Sequence, residues 1–142
     1  MKYEFTIPGN PAGKGRPRFS TIAGHVQARS PEQTVLYENL VRTQYQEQCG
    51  AQFPDDAEID VRIMAYYQVP KSVSKKKRLA MLHHSIRPTK KPDTDNIAKI
   101  ICDSLNGIAY RDDAQVVDLM CRKFYSETPR VVVTIEGAAP KY

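Results

Sequence analysis

Two short segments carry most of the chemistry available to this sequence. Pro92-Asp93-Thr94-Asp95-Asn96-Ile97-Ala98-Lys99 sets two aspartates close to a lysine, and Asp112-Asp113-Ala114-Gln115-Val116-Val117-Asp118 adds a second acid pair soon after. Carboxylate oxygens in such a group hold a hard cation such as Mg²⁺, with Mn²⁺ as an alternative. The acids interrupt a basic chain. Directly before them, Lys71 to Lys91 contain eight Lys or Arg and no Asp or Glu. An acidic island in basic surroundings is the pattern of a metal centre facing a polyanion, because the cations hold the phosphate backbone of a nucleic acid. The cation would polarise a phosphoryl group, activate water and stabilise the leaving oxygen. Lys99 beside it would neutralise charge on the phosphorane or position the water.

Each piece also has an ordinary structural explanation. Asp93 and Asp95 precede an apolar-periodic stretch and would serve as helix caps that complement its dipole. Asp95 and Lys99 have the i,i+4 spacing of a surface ion pair. Arg111-Asp112-Asp113 would make a polar turn. What favours chemistry is the combination. A helix from Asp95 to Leu105 is about 15 Å long, and Asn106-Gly107 reverses the chain after it, so the second acid pair can return toward the first. Three or four converging carboxylates repel strongly unless a cation sits among them. Asp103, about 12 Å along the axis from Asp95, is expected to stand apart and to serve as a control.

The elements that must position these groups follow from periodicity. Met1 to Pro8 alternates and reads as a strand. Gly9 to Phe19 reads as a loop. Ser30-Pro31-Glu32-Gln33 is a helix start, with Ser30 as N-cap, Pro31 in the first helical position and Gln33 completing a capping box. Val35, Leu36, Leu40 and Val41 supply its apolar spacing, and Gly50 ends it. Ile59 to Val69 is a strand stopped by Pro70. Ser72 to His84 reads as a short basic helix with Leu79, Met81 and Leu82 as its contacts. Asp93 to Leu105 is the second main helix, apolar at Ile97, Ile100, Ile101 and Leu105. Gln115 to Tyr125 and Arg130 to Glu136 are strands joined by a hairpin turn. The order β-α-β-(α)-α-β-β predicts an α/β (α+β) two-layer sandwich, a small mixed sheet with two main helices, in one domain over residues 1–142.

Bulk properties narrow the classes. The chain has 142 residues, with 21 Lys+Arg against 16 Asp+Glu, a formal charge of +5. That field favours a nucleic acid or another anionic surface as partner. No apolar run is long enough to span a bilayer and no signal-peptide plan opens the chain, so no membrane association and a cytoplasmic location are expected. The three cysteines, Cys49, Cys102 and Cys121, form no C-x-x-C pair, and the three histidines add no zinc spacing. Gly9-Asn-Pro-Ala-Gly13-Lys14-Gly15 fails the P-loop pattern, so no nucleotide cofactor is expected. Its Lys14, with Arg16 and Arg18, is instead a candidate phosphate-binding arm. Lys75, Lys76 and Lys77, then Lys90 and Lys91, are candidates to line a nucleic-acid path. Phe19 and Tyr110 are assigned to core packing rather than to stacking on a base.

With these residues in place, the two acidic segments resemble the RusA family of Holliday junction resolvases, small endonucleases of bacteria and their phages. The resembling motifs are D-x-D-N-x-x-K at Asp93 to Lys99 and D-D-A-Q-V-V-D at Asp112 to Asp118, within roughly Lys90 to Glu127. The resemblance implies a homodimer that binds branched DNA, a four-way junction, and nicks two strands symmetrically with Mg²⁺, as in DNA recombination and repair. It implies Asp93, Asp95 and Asp113 as metal ligands and catalytic residues, and Lys99 as the catalytic lysine. Asp112 either assists or shapes the turn. The chain departs from some members before the D-x-D, where Thr89-Lys90-Lys91-Pro92 replaces an arginine run, and in its N-terminal basic loop. The interface is expected on Val131 to Ile135 or on the first helix. Two rival readings stand beside this one. One is an Mg²⁺ phosphodiesterase acting on other branched DNA or on RNA. The other is a DNA-binding module without chemistry, in which Asp93, Asp95 and Asp113 would be dispensable.

Overall fold

The computed structural model describes residues 1–15, 18–22, 24–29 and 31–139. Its elements, in chain order, are β1 (Lys2–Pro8), β2 (Arg18–Ile22), β3 (His25–Arg29), α1 (Glu32–Gln48), β4 (Glu58–Gln68), α2 (Lys75–Leu82), α3 (Thr94–Ser104), β5 (Val116–Ser126) and β6 (Arg130–Ala138). The expected α+β order is present. One pair of strands joins it: β2 and β3 form a separate antiparallel ribbon inside the region read as loop and approach to α1. Gly24 turns this ribbon with a positive φ of 80°, a conformation costly for residues with a Cβ.

The main sheet runs β1-β6-β4-β5. β6 pairs antiparallel with both β1 and β4, whereas β4 and β5 are parallel. A parallel pair needs a long crossover, and α2 and α3 lie in it. Alternation along β4 follows the two-residue period of a strand. Ile59, Val61, Ile63, Ala65 and Tyr67 are buried, and the residues between them are not. The buried face meets α1 and α3. On α3, Ile97, Ile100, Ile101 and Leu105 are all fully buried, as their spacing predicts. Each contributes about 1.5–3 kcal/mol, so α3 is held rigidly by its apolar face while its other face stays open.

Several local expectations change. Val131, Val133 and Ile135 are fully buried, because they alternate onto the sheet face that carries the core, so they do not form an exposed interface; Val132 and Thr134, on the other face, are partly buried. On α1 the inward face is Thr34, Val41 and Tyr45, while Val35 and Leu36 are exposed. Pro31 occupies the cap position rather than the first helical residue, and Ser30 lies outside the described residues. On α2, Met81 is buried and Leu79 is exposed. Ser74 caps that helix by accepting from the backbone N–H of Lys77. The outer edge of β1 is covered at Thr6, whose N–H and C=O both bond the Gln48 side chain, at 2.9 and 2.8 Å. Blocking an edge in this way prevents further strand pairing there.

Candidate active site

Asp93 stands at the N-cap position of α3 but makes no side-chain capping hydrogen bond. Its exposed carboxylate is therefore not consumed by the helix end. Directly before it, the Pro92 carbonyl accepts from Tyr67 Oη at 2.8 Å, which ties the helix start to β4. Asp95 lies in the first turn of α3 and Lys99 one turn later; both are exposed. Among the described residues, their side chains do not approach within ion-pair distance of each other.

The return of the second acid pair depends on the end of α3. Gly107 takes a φ of 75° and its N–H donates to the Tyr110 carbonyl at 2.7 Å. Tyr110 is fully buried, as expected, and its Oη donates to the Cys102 carbonyl at 2.7 Å. The backbone N–H of Asp113 then donates to Asn106 Oδ1 at 2.7 Å. Asp112 accepts from the Ala114 N–H at 3.0 Å and forms a capping box with Gln115 around the 3₁₀ turn Asp113–Gln115. Asp112 thus shapes the turn and leaves Asp113 to face the helix.

Asp113 returns toward α3 beside Asp103: both line one groove, and they lie close enough for each carboxyl to perturb the other's ionisation. Asp103 is consequently no remote control. Two i+4 steps keep it on the same stripe of the helix as Asp95 and Lys99, about 80° round. The tight reversal at Asn106–Tyr110 leaves the returning chain only enough length to reach the last turns of α3. The Asp95–Lys99–Asp103 spacing was the sequence signal for this, and axial distance alone obscured it. Asp95, Lys99, Asp103 and Asp113 line one groove of ≈ 380 Å³, together with Ala98, Cys102, Val116, Val117 and Leu119. Asp93 lines a neighbouring groove of ≈ 440 Å³ with Gly13, Lys14, Gly15, Lys91, Pro92 and Asn96.

The electrostatics follow from this crowding. Burial and then Asp103 raise the Asp113 carboxyl above its ordinary value, Asp112 adds to this, and Lys99 opposes it. At Asp103 partial burial also works against ionisation. Hydrogen bonds with Lys14 and Asp113, and the charges of Lys14 and Lys99, outweigh it and hold that carboxyl low. Burial pushes the Cys102 thiol up to about 11, so it is a protonated wall of the groove at neutral pH. Among the described residues, no three His, Cys, Asp or Glu side chains stand close enough in this conformation to enclose a metal ion.

The basic candidates divide. Lys75, Lys76, Lys77, Lys90 and Lys91 are exposed. Lys90 lies about 6 Å from the rings of Tyr67 (5.9 Å) and Tyr125 (6.0 Å), between α2 and the Asp93 groove. The α2 lysines sit beside the far end of β5, where Arg78 pairs with Glu127 at 2.7 Å. Lys14 is engaged inside the protein, 2.6 Å from Asp103 and 3.8 Å from Glu38. Arg16 lies outside the described residues, as do the side chains of Arg18 and Phe19. A further set of cations was not singled out in the sequence. Arg87 and Arg122 lie over Phe124, at 4.3 and 5.0 Å, and Arg130 lies over Tyr66 at 4.1 Å. Tyr66 and Phe124 stack on each other across β4 and β5. Strand alternation would have placed both aromatics on the sheet face away from the helices, but their union with an arginine from the linker after α2 is tertiary. Among the described residues, no helix is long and apolar enough to cross a membrane.

Comparison with known proteins agrees with the geometry. The chain is similar to the uncharacterized protein YqaN of Bacillus subtilis (strain 168), with 42% identity over 137 residues, covering 93% of this chain and 94% of that protein. The family of endodeoxyribonuclease RusA matches residues 8–136, nearly the whole chain, and the protein belongs to that family.

Proposed function

We propose that this protein is a divalent-ion-dependent endonuclease that resolves four-way DNA junctions by paired, symmetric nicks. The observation that carries the proposal is the single groove that Asp95, Lys99, Asp103 and Asp113 line together, in a member of a family of endodeoxyribonucleases. The donor set fits a hard divalent cation. Its ligands are carboxylate oxygens, the kind Mg²⁺ and Mn²⁺ prefer. Asp113 shares the groove with Asp103, whose charge raises its carboxyl, and a cation bound at Asp113 would relieve that repulsion. Asp95 is exposed on the same groove, where its side chain changes rotamer readily. Asp95 and Asp113 are the ligands we assign in that groove, and Asp93, which lines the neighbouring groove at the helix mouth, would join them by turning toward the ion. When bound, the ion would supply Lewis acidity and an activated water.

The chain's own residues do the rest. Lys99 faces the carboxylates and is placed to meet a phosphate oxygen entering the groove. Lys90, Lys91 and the arginines over Tyr66 and Phe124 offer sequence-independent contacts to the DNA backbone. Lys75 to Lys77 extend that path along α2. One domain supplies one such groove, so symmetric cutting of a junction calls for a two-fold homodimer. The test is incubation of labelled four-way, forked and linear DNA with the protein, in Mg²⁺ and in chelator. Junction cutting that requires Mg²⁺ and far exceeds linear cutting supports the proposal. Equal rates on both substrates would reduce it to a general phosphodiesterase, and full activity in excess chelator would remove the metal.

A further inference from the structure

We propose that Lys14 is the resident counter-ion of the acidic groove: its ammonium holds the Asp103–Asp113 side of the site until the divalent ion arrives, then turns to the incoming phosphate. The inference rests on the divalent-ion reading above. It starts from the two glycines that flank Lys14. A Cβ on Gly13 would lie 2.6 Å from Asn96 Nδ2 and 2.9 Å from Pro92 Cβ. A Cβ on Gly15 would lie 2.7 Å from both Pro31 Cγ and Thr34 Oγ1. Real side chains do not tolerate such approaches, so the backbone on each side of Lys14 is seated where only glycine fits. Gly13 rests on the start of α3 and Gly15 on the start of α1, where its N–H donates to Thr34 Oγ1 at 2.9 Å.

Seated at both ends, the loop sends Lys14 inward. Nζ reaches Asp103 Oδ2 at 2.6 Å and Glu38 Oε2 at 3.8 Å, with the Lys14 and Asp103 side chains only 27% and 21% exposed. A solvated loop lysine needs neither glycine nor this burial. Asp103 in turn lines the same groove as Asp95 and Asp113, so the ammonium on Asp103 stands at the flank of the carboxylates that a divalent ion would use. A divalent ion held by Asp95 and Asp113 would lie in the same groove as Asp103 and repel the ammonium beside it, so binding of the ion must weaken the hold of Lys14. Lys14 also has somewhere to go. The residue lines the neighbouring groove with Lys91 and Asp93, while its ammonium meets Asp103 of the acidic groove. Once displaced from Asp103, the ammonium faces the side on which Lys90 and Lys91 offer phosphate contacts.

The test is a Mn²⁺ titration of the free protein, without DNA, with unbound Mn²⁺ read by electron paramagnetic resonance. Lys14→Met should bind Mn²⁺ more tightly, by about tenfold, and Lys14→Arg, which keeps the charge, should resemble the wild type. A lysine that only clamps the loop would give the opposite sign, because its loss would leave Mn²⁺ affinity unchanged or lower. Either of those results overturns the proposal. Wild-type protein that takes up no Mn²⁺ would overturn the divalent-ion reading itself, which separates the two failures. Should Lys14→Met fail to fold, the wild type still decides. The lysine ammonium signal held by Asp103 should shift in ¹⁵N NMR on Mg²⁺ saturation, and an unmoved signal would count against displacement.

Discussion

Asp113→Asn should abolish cutting and, without metal, make the protein more stable. Asp113 faces Asp103 directly and Asp112 at its side. Like charges about 4 Å apart repel by about 1 kcal/mol in a water-like dielectric, which suits a groove this open. The amide of the variant can instead donate to Asp103. For a chain of this size about 1 kcal/mol corresponds to a rise in Tm of about 3 °C. The gain should depend on pH. The Asp113 carboxyl is raised by burial and by Asp103, so the native state holds its proton more tightly than the unfolded chain does. The stability this contributes is complete below the unfolded value, about 3.9, and is lost as pH rises through the raised native value. The advantage of the variant should therefore be small in acid and grow to its full size above that range. Mg²⁺ should reverse the order, stabilising wild type by mass action and leaving the variant unchanged. Urea unfolding from pH 4 to 8, with Mg²⁺ and with chelator, measures all of this. A variant less stable than wild type at pH 7 in chelator, or one that gains as much from Mg²⁺, would refute the reasoning.

Other substitutions test the remaining parts. Asp93→Asn and Asp95→Asn should each lose cutting while keeping or tightening junction binding in a gel-shift assay; retained cutting by either would remove that residue from the site. Asp103→Asn should also impair cutting, unlike a surface control such as Asp55→Asn, and a full-rate Asp103→Asn enzyme would confine the site to the other acids. Tyr110→Phe removes the buried bond to the Cys102 carbonyl and should cost about 1–2 kcal/mol in urea unfolding, with cutting reduced because Asp113 is less firmly presented. Gly137→Ala would drive a Cβ to 2.3 Å from Phe53 Cδ1 and should destabilise by about 1–3 kcal/mol without changing the pH or metal dependence of cutting. Light scattering at micromolar concentration should give the mass of a dimer; a clean monomer that nicks one junction strand at a time would contradict paired cutting.

The candidate residues were legible in the chain because their evidence is local. The D-x-D, the lysine a turn later and the second acid pair are patterns of neighbours, and the spacing of Ile97, Ile100, Ile101 and Leu105 fixed which face of α3 is buried. The order of the main elements followed from the same two- and four-residue periods. What stayed hidden depends on where segments meet. Asp103 looked remote while only its distance along the helix was counted; the length of the turn after Asn106 decided that Asp113 would reach it. Lys14 looked like a solvated contact until close packing of Gly13 and Gly15 against two helices aimed it at Asp103. Val131 to Ile135 had the look of an exposed strand, yet packing of one sheet face against the core buried Val131, Val133 and Ile135. Periodicity reports which side of an element is apolar; only long-range packing decides what that side, and the polar one opposite, will face.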